Sequence, residues 1–348
     1  MNKKVLIGMS GGVDSSVAAY LLKKQGYDVT GATLIMWNNT DDTSVMDAKE
    51  VAQKIGIPHI TINCENEFRE HVIEYFIDEY KNGRTPNPCI ECNKFIKFGF
   101  MLDYAMDNGY DYIATGHYAK IEYDKSSNCH YIKKADFDSK DQTYVLYGLK
   151  KDNLPKILMP LWKYSKDQIR EIAKNEIGMY IANKPDSMEI CFVPDDDYKK
   201  FIQTYSNYIP CTGNFVDKSG KVLGTHDGII NFTIGQRKGL GQTFGKPMFV
   251  TGIDPISNDV VLGEKGDEYS SGLIAENVNF FVCFDDVLFT QCKTRYSSKH
   301  APCKVTKLDK TTVKVEFEQN QRAVTPGQSV VFYDNDRILG GGIIKSTF

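Results

Sequence analysis

The chain has 348 residues, 41% of them hydrophobic and 25% charged, with 42 Lys+Arg against 45 Asp+Glu. These proportions belong to a soluble globular protein and exclude a disordered tail, a coiled coil and a collagen-like chain. The length points to roughly two or three domains, and a net charge of −3 offers no global basic field, so any contact with nucleic acid has to be local.

Taken in chain order, Met1-Asn2-Lys3-Lys4 leads into the stretch Val5–Met9, which Ser10-Gly11-Gly12 interrupts before it could form a secretory core. No apolar run reaches the ~18–20 residues of a membrane span. The expected location is cytoplasmic, with no membrane association, and the nine cysteines are expected to be reduced. Val5–Met9 reads as a buried strand, Ser15–Lys24 as a helix closed by Gly26, and Val29–Trp37 as a second strand. A helix over Ser44–Ile55 stops at Gly56 and Pro58. His59–Ile62 is β-branched, and Glu67–Tyr80 carries helical spacing in Phe68, Val72, Tyr75, Phe76 and Tyr80. After a proline-rich loop, Lys94–Met106 predicts helix and Tyr112–Thr115 strand. This alternation is that of a doubly wound parallel α/β domain.

From about Asp195 helical runs become rare and turns punctuate short strands at Asn214–Val216, Gly220–Leu223, Phe249–Ile253 and Val260–Gly263. From about Ser271 the alternation at Cys303–Leu308, Thr312–Phe317 and Ser329–Tyr333 predicts a small β-barrel. The expected division is an N-terminal α/β domain over 1–197, a small central mixed module over 198–269 and a C-terminal β-barrel over 270–348.

Ser10-Gly11-Gly12-Val13-Asp14-Ser15-Ser16 lies directly between a predicted strand and a predicted helix. Two glycines allow a tight turn and a close backbone approach to an anion. The free N–H groups of the following helix, with the hydroxyls of Ser15 and Ser16, then face that anion. No Gly-Lys-Ser/Thr follows, so this is not a Walker A loop. It resembles the PP-loop of the N-type ATP pyrophosphatases, which cut ATP between the α and β phosphates. The resemblance implies ATP as substrate, Asp14 in a loop that organises Mg²⁺ and pyrophosphate, and nucleotide contacts from Gly8-Met9-Ser10-Gly11-Gly12-Val13-Asp14-Ser15. Gly8 at the strand end would leave room for the adenine side. Met36 and Gly116 end strands at the carboxyl edge, where ligands bind in open α/β sheets.

Thr85-Pro86-Asn87-Pro88-Cys89-Ile90-Glu91-Cys92-Asn93-Lys94 reads as a rigid loop opening a helix. Cys92 is expected at or near the helix N-terminus, where the macrodipole and Lys94 favour the thiolate. Three roles compete for the Cys89–Cys92 pair. Structural zinc lacks a second CxxC, and a thioredoxin-like motif would sit at the first βα turn. A thiol-transfer or cluster site needs a third cysteine, which Cys191 in Glu189-Ile190-Cys191-Phe192 could supply. Cys64, Cys129, Cys211, Cys283, Cys292 and Cys303 have no comparable context and read as packing or exposed thiols.

Together with Arg84-Thr85-Pro86-Asn87-Pro88, Ala114-Thr115-Gly116-His117-Tyr118, Ser139-Lys140-Asp141-Gln142, Ile234-Gly235-Gln236-Arg237-Lys238-Gly239-Leu240-Gly241 and Lys293-Thr294-Arg295-Tyr296, these motifs resemble the bacterial tRNA-specific 2-thiouridylase family over almost the whole chain. The resemblance implies adenylation of the C2 oxygen of a wobble uridine in tRNA, then its replacement by sulfur with release of AMP. By position Cys191 would carry a persulfide and Cys92 would be the nucleophile, attacking it or forming a transient disulfide with Cys191. Asn87, Pro88 and Cys89 would touch the target base. His117, Lys140, Asp141, Gln142, Arg295, Tyr296 and Gln328 would contact tRNA. The sulfur would come from a cysteine desulfurase or a relay protein. Many members carry Asp where this chain has Cys89, and Cys89, Cys92 and Cys191 could together ligate a [4Fe-4S] cluster with an open iron.

Charge is consistent with an RNA partner. Residues 291–314 hold seven Lys/Arg against Asp309 alone, and 133–170 hold nine basic residues against five acidic. Each run alone would read as a solvated face. A splayed-out base suits the chemistry, because C2 of a stacked base is poorly reachable. Two other readings share parts of this pattern: a small-molecule PP-loop synthetase of the amide or argininosuccinate type, and a non-catalytic RNA-binding protein.

Overall fold

The computed structural model describes residues 2–37, 42–125, 128–137, 141–178 and 190–348. Two compact units share the chain. One comprises Met1–Val72, Cys89–Met188 and Asp336–Ile338; the other comprises Ile73–Pro88, Glu189–Asn335 and Leu339–Phe348.

The first unit is built on five parallel strands: β1 (Lys4–Gly8), β2 (Asp28–Ile35), β3 (His59–Asn63), β4 (Tyr112–Ala114) and, later in the chain, β7 (Ile157–Leu158). Their order is β3-β2-β1-β4-β7, with Lys4 opposite Asp28 and Val5 opposite Tyr112. Val5, Leu6 and Ile7 of the central β1 are fully buried, as a strand covered on both faces requires. Val13, Val17, Leu21 and Leu22 of helix Val13–Lys24 pack with Val5, Ile7, Ile55 and Ile169 in one core.

A β-hairpin that the sequence did not announce, β5 (Ala119–Asp124) with β6 (Cys129–Lys134), also belongs to this unit. Residues 336–338 join it through β6. The Lys134 N–H donates to the Asp336 carbonyl at 2.8 Å, Lys133 pairs with the Asp336 carboxylate at 3.0 Å, and the Arg337 guanidinium lies over the Tyr131 ring.

In the second unit, helix Tyr198–Ser206 is capped by Asp197, so regular helix extends past the point where the sequence suggested it would become rare. A four-stranded sheet follows: β8 (Gly213–Val216), β9 (Val222–His226), β10 (Phe249–Asp254) and β11 (Asp259–Gly263), in the order β10-β11-β8-β9. The predicted strand Gly220–Leu223 begins late because Asp217–Lys221 closes a turn through the Asp217 carboxylate.

Strands β12 (Tyr269–Phe280), β13 (Val287–Lys293), β14 (Ala301–Lys307), β15 (Val313–Arg322), β16 (Ser329–Asp334) and β17 (Arg337–Thr347) then form the barrel. Long β12 pairs with both β15 and β17, which closes six strands on themselves and leaves no free edge among them. Leu273, Val305, Val315, Val330, Phe332 and Ile344 fill the interior. No helix among the described residues is long and apolar enough to cross a membrane.

Candidate active site

The strand–turn–helix at the end of β1 is shaped by contacts that leave no room for side chains. Gly11 has φ +70°, and a Cβ there would lie 2.8 Å from Asp47 Cβ and 3.0 Å from the Ser44 carbonyl. Gly12 precedes helix Val13–Lys24 in an extended conformation, and no side chain caps that helix. Its first-turn N–H groups therefore keep the anion-facing character of an open helix N-terminus. Met9 is buried, Val13 is packed in the core and Ser10 is exposed. Contrary to expectation, the hydroxyls of Ser15 and Ser16 turn back to donate to the Gly12 carbonyl, at 3.3 and 2.7 Å.

Gly116 lies against the backbone of the phosphate loop's helix. A Cβ there would stand 2.8 Å from the Ser15 nitrogen and 3.0 Å from the Asp14 carbonyl carbon. The glycine thus admits the start of the protein's own helix. A Cβ at Gly8 would reach only ordinary contact, 3.5 Å from the Met101 sulfur. Met36 follows the end of β2 and is half-buried. The Asp14 carboxylate accepts from the Tyr118 hydroxyl at 2.7 Å and from Lys166 Nζ at 2.8 Å on each oxygen.

The cysteine loop starts its helix earlier than expected, at Pro88, because proline fits the first helical position. Cys89 is therefore in the first turn and exposed, whereas Cys92 opens a π-helical stretch, Cys92–Phe100, and is buried. The Lys94 ammonium lies 3.7 Å from the Glu91 carboxylate and over the Phe95 ring. Burial raises the Glu91 pKa against the opposing pull of Lys94. Asn93 is buried and donates to the Val145 carbonyl at 3.0 Å, and His71 stacks on Phe95. Cys64, which follows β3, has its thiol pushed up to about 12 by burial and by the charge of Cys92.

Ahead of the cysteines, within the second unit, the loop is clamped from several sides. Thr85 donates its N–H to the Pro326 carbonyl at 2.9 Å, and Gln328 Nε2 donates to the Thr85 carbonyl at 2.8 Å and to that of Pro86 at 3.4 Å. Arg84 pairs with Glu79 at 2.9 Å and with Glu276 at 3.2 Å. Asn87 is half-buried and Pro88 buried. Cys191, in the same unit, is exposed on a turn anchored by buried Phe192, which packs edge-on against Phe76 and Phe201. Among the described residues no three His, Cys, Asp or Glu side chains are grouped to hold a metal.

Three family models match in succession: a tRNA methyl transferase HUP domain over residues 3–195, a tRNA methyl transferase PRC-barrel domain over 199–264 and an aminomethyltransferase β-barrel domain over 270–344. A tRNA-specific 2-thiouridylase MnmA of Clostridioides difficile is 52% identical over 359 residues, spanning 100% of this chain and 99% of the relative. The MnmA 2 of Clostridium botulinum strain Okra is 51% identical, spanning 99% and 100%. That of Acetivibrio thermocellus is 50% identical, spanning 99% of each. The chain belongs to the tRNA-specific 2-thiouridylase family.

Among the residues that the family resemblance assigned to tRNA, His117 is buried and shares a 2.7 Å hydrogen bond with the Thr115 hydroxyl. Gln142 accepts from the Tyr118 N–H at 2.9 Å, and Asp141 accepts from the Thr143 N–H and hydroxyl. Lys140 lies outside the described residues. Arg295 donates to the Ile234 carbonyl at 3.2 Å and to the Thr325 hydroxyl, while Tyr296 is exposed with Lys293 above its ring.

The basic run 291–314 is partly neutralised across the barrel, where Glu316 lies 2.8 Å from Lys314 and 3.9 Å from Lys304. Sequence reasoning assigned no role to Lys166, Tyr118 or Arg84. Ser165 and Gln168 form a capping box at Lys166, but nothing local to that signal connects Lys166 with Asp14.

Proposed function

We propose that this protein is an ATP-dependent tRNA-uridine 2-sulfurtransferase acting on the wobble uridine. The observation that carries the reading is the uncapped helix behind Gly11 and Gly12, in a chain matched end to end by relatives named tRNA-specific 2-thiouridylase. Those full-length relatives weigh more than the words "methyl transferase" in the domain descriptions, because they cover the whole chain at about half identity. The three matched segments also support a nucleotide-binding part over 1–197, a module over 198–269 and an RNA-contacting barrel over 270–348.

In this reading the uridine C2 oxygen attacks the α-phosphorus of ATP, and pyrophosphate leaves with the bridging electron pair. The backbone N–H groups around Gly8-Met9-Ser10-Gly11-Gly12-Val13-Asp14-Ser15 stabilise its charge. Mg²⁺ suits this site, since Asp14 places a carboxylate on the loop, and when bound it would neutralise phosphate charge. Cys191 carries the incoming sulfur as a persulfide, delivered by a cysteine desulfurase or a relay protein. Cys92 attacks the Cys191 sulfur and forms a Cys92–Cys191 disulfide. The hydrosulfide that leaves adds to C2 and expels AMP, and an external dithiol then reduces the disulfide. A [4Fe-4S] cluster on Cys89, Cys92 and Cys191 is the competing route, and the test below separates the two. Such a reaction belongs in the cytoplasm, where tRNA and ATP are found.

The test is to incubate protein, MgATP, a persulfide or sulfide source and unmodified tRNA, then to look for 2-thiouridine by mass spectrometry of the digested RNA. ATP-dependent product from protein isolated in air is the expected result. Product only after anaerobic cluster reconstitution would replace the persulfide route, and AMP formed only with a small acceptor would replace the RNA substrate.

A further inference from the structure

An exposed cysteine on a short turn keeps a fixed position only if its neighbour is fixed. The turn Ile190-Cys191-Phe192-Val193 is closed by the Val193 N–H, which donates to the Ile190 carbonyl at 3.0 Å. Cys191 is exposed on it, whereas Phe192, the next residue, is only 3% exposed. The Phe192 ring meets Phe76 at 5.3 Å and 88°, and Phe201 at 5.4 Å and 61°, both edge-on arrangements that aromatic pairs favour. Phe76 belongs to helix Tyr75–Lys81 and Phe201 to helix Tyr198–Ser206. The two helices are also joined by Tyr80, which stacks on Tyr198 at 4.5 Å.

The chain between Phe192 and the second helix is stiff. Pro194 fixes one φ, Asp195 and Asp196 stand in the left-handed region at φ 56° and 54°, and Asp197 caps the helix. Side chains other than glycine hold that conformation only where their surroundings enforce it. Phe192 and Phe201, packed together across this tether, supply the enforcement. The first helix leads elsewhere. Just past its end the Arg84 N–H donates to the Glu79 carbonyl at 2.9 Å, and the chain enters Thr85-Pro86-Asn87-Pro88, the loop assigned to the target base. Residues 76–88 thus carry both a wall of the Phe192 pocket and that loop.

We propose that Phe192 is a positioning residue for sulfur transfer. Its ring locks the Cys191 turn onto the segment that carries the base loop, so that sulfur on Cys191 is presented at a fixed place relative to the uridine. No bond forms or breaks at Phe192. The proposal rests on the reading of Cys191 as the sulfur carrier.

The test compares two sulfur sources in single turnover, with the full chain, MgATP and unmodified tRNA. In one arm the protein is preloaded with persulfide by a cysteine desulfurase and cysteine, loading is checked by intact mass, and the donor is removed. In the other arm sodium sulfide is supplied, and hydrosulfide adds to the adenylated C2 and expels AMP without using Cys191. Misplacing a reacting group by about 1 Å can cost on the order of 100-fold in rate. Phe192→Ala should therefore slow the persulfide-driven reaction, per loaded protein, at least about 20-fold while the sulfide-driven rate stays within about threefold. Phe192→Leu, which refills most of the space, should return the ratio of the two rates to within about threefold of wild type. A merely structural role would lower both rates together. Equal loss in the two arms, or no loss with persulfide, would overturn the proposal.

If Phe192→Ala fails to fold, Phe192→Val decides, with an expected fall in the ratio of at least about fivefold; an unchanged ratio overturns the idea. Cys191→Ala, supplied with desulfurase and cysteine in parallel, separates the two failures. If it thiolates as well as wild type, the carrier reading falls and the proposal with it. If it loses the persulfide-driven product while Phe192→Ala keeps it, the proposal alone falls.

Discussion

A methyl group at residue 116 would collide with backbone, 2.8 Å from the Ser15 nitrogen, and backbone cannot swing aside as a side chain can. Gly116→Ala should therefore destabilise the protein by about 1–3 kcal/mol, as overpacking does, and lower MgATP affinity at least tenfold by displacing the first turn of the helix. Thermal melting and nucleotide titration check this, and a variant unchanged in both would contradict the contact. The cysteines divide by exposure. Cys89, Cys191, Cys211 and Cys283 are exposed, whereas Cys64, Cys92, Cys292 and Cys303 are buried. Burial and Cys92 hold the Cys64 thiol at about 12, and its neighbour Cys303 together with burial raises that of Cys292. Iodoacetamide at pH 8 should label the four exposed cysteines well before the four buried ones, as peptide mass mapping would show. Cys92→Ala and Cys191→Ala should each reduce 2-thiouridine formation at least about 100-fold with tRNA affinity nearly unchanged; wild-type thiolation by either would refute its role.

Among the elements, the loop before Cys89 depends on the segment 325–328. Gln328 donates to two of its carbonyls, so Gln328→Ala should cost about 1–2 kcal/mol of stability. If the loop holds the target base, the KM for tRNA should rise several-fold while ATP affinity stays constant; steady-state kinetics with tRNA varied and then ATP varied would separate the two. The sequence made some elements plain and concealed others for physical reasons. Val5, Leu6 and Ile7 form an uninterrupted apolar run because both faces of β1 are covered, and barrel strands alternate because only one face is. The hairpin β5–β6 is mostly half-buried on both faces and rich in charge, as in Lys120 and Glu122, so it carries no clear period. Gly11 was legible from its place between strand and helix. The service of Gly116 to the helix, and of Gln328 to Thr85, depends on residues about 100 and 240 positions away, beyond the reach of local patterns. The helix of the cysteine loop starts at Pro88 rather than near Cys92, because a proline that ends a rigid loop fits equally well as the first residue of a helix.

For the molecule as a whole, acid is a predictable hazard. Burial, and then the charge of Lys97, keeps His117 neutral in the fold well below its ordinary pKa. Below about pH 6.5 the unfolded chain takes up a proton that the folded one refuses. Unfolding then binds the extra proton, so stability falls as pH drops, by up to about 1.4 kcal/mol per unit for this group, and is unaffected above pH 6.5. Urea midpoints between pH 7.5 and 4.5 should show a steeper decline for wild type than for His117→Asn, and equal slopes would contradict the assignment. The interleaving of the two compact units has a different consequence, one of synthesis. The segment 73–88 bonds to Glu276, Pro326 and Gln328, and β6 bonds to Asp336. Both sets of partners leave the ribosome late. Neither unit can therefore finish folding on a nascent chain until nearly all 348 residues have been made, so a fragment cut at a domain boundary would keep the phosphate loop but lack bonds on which its own scaffold depends.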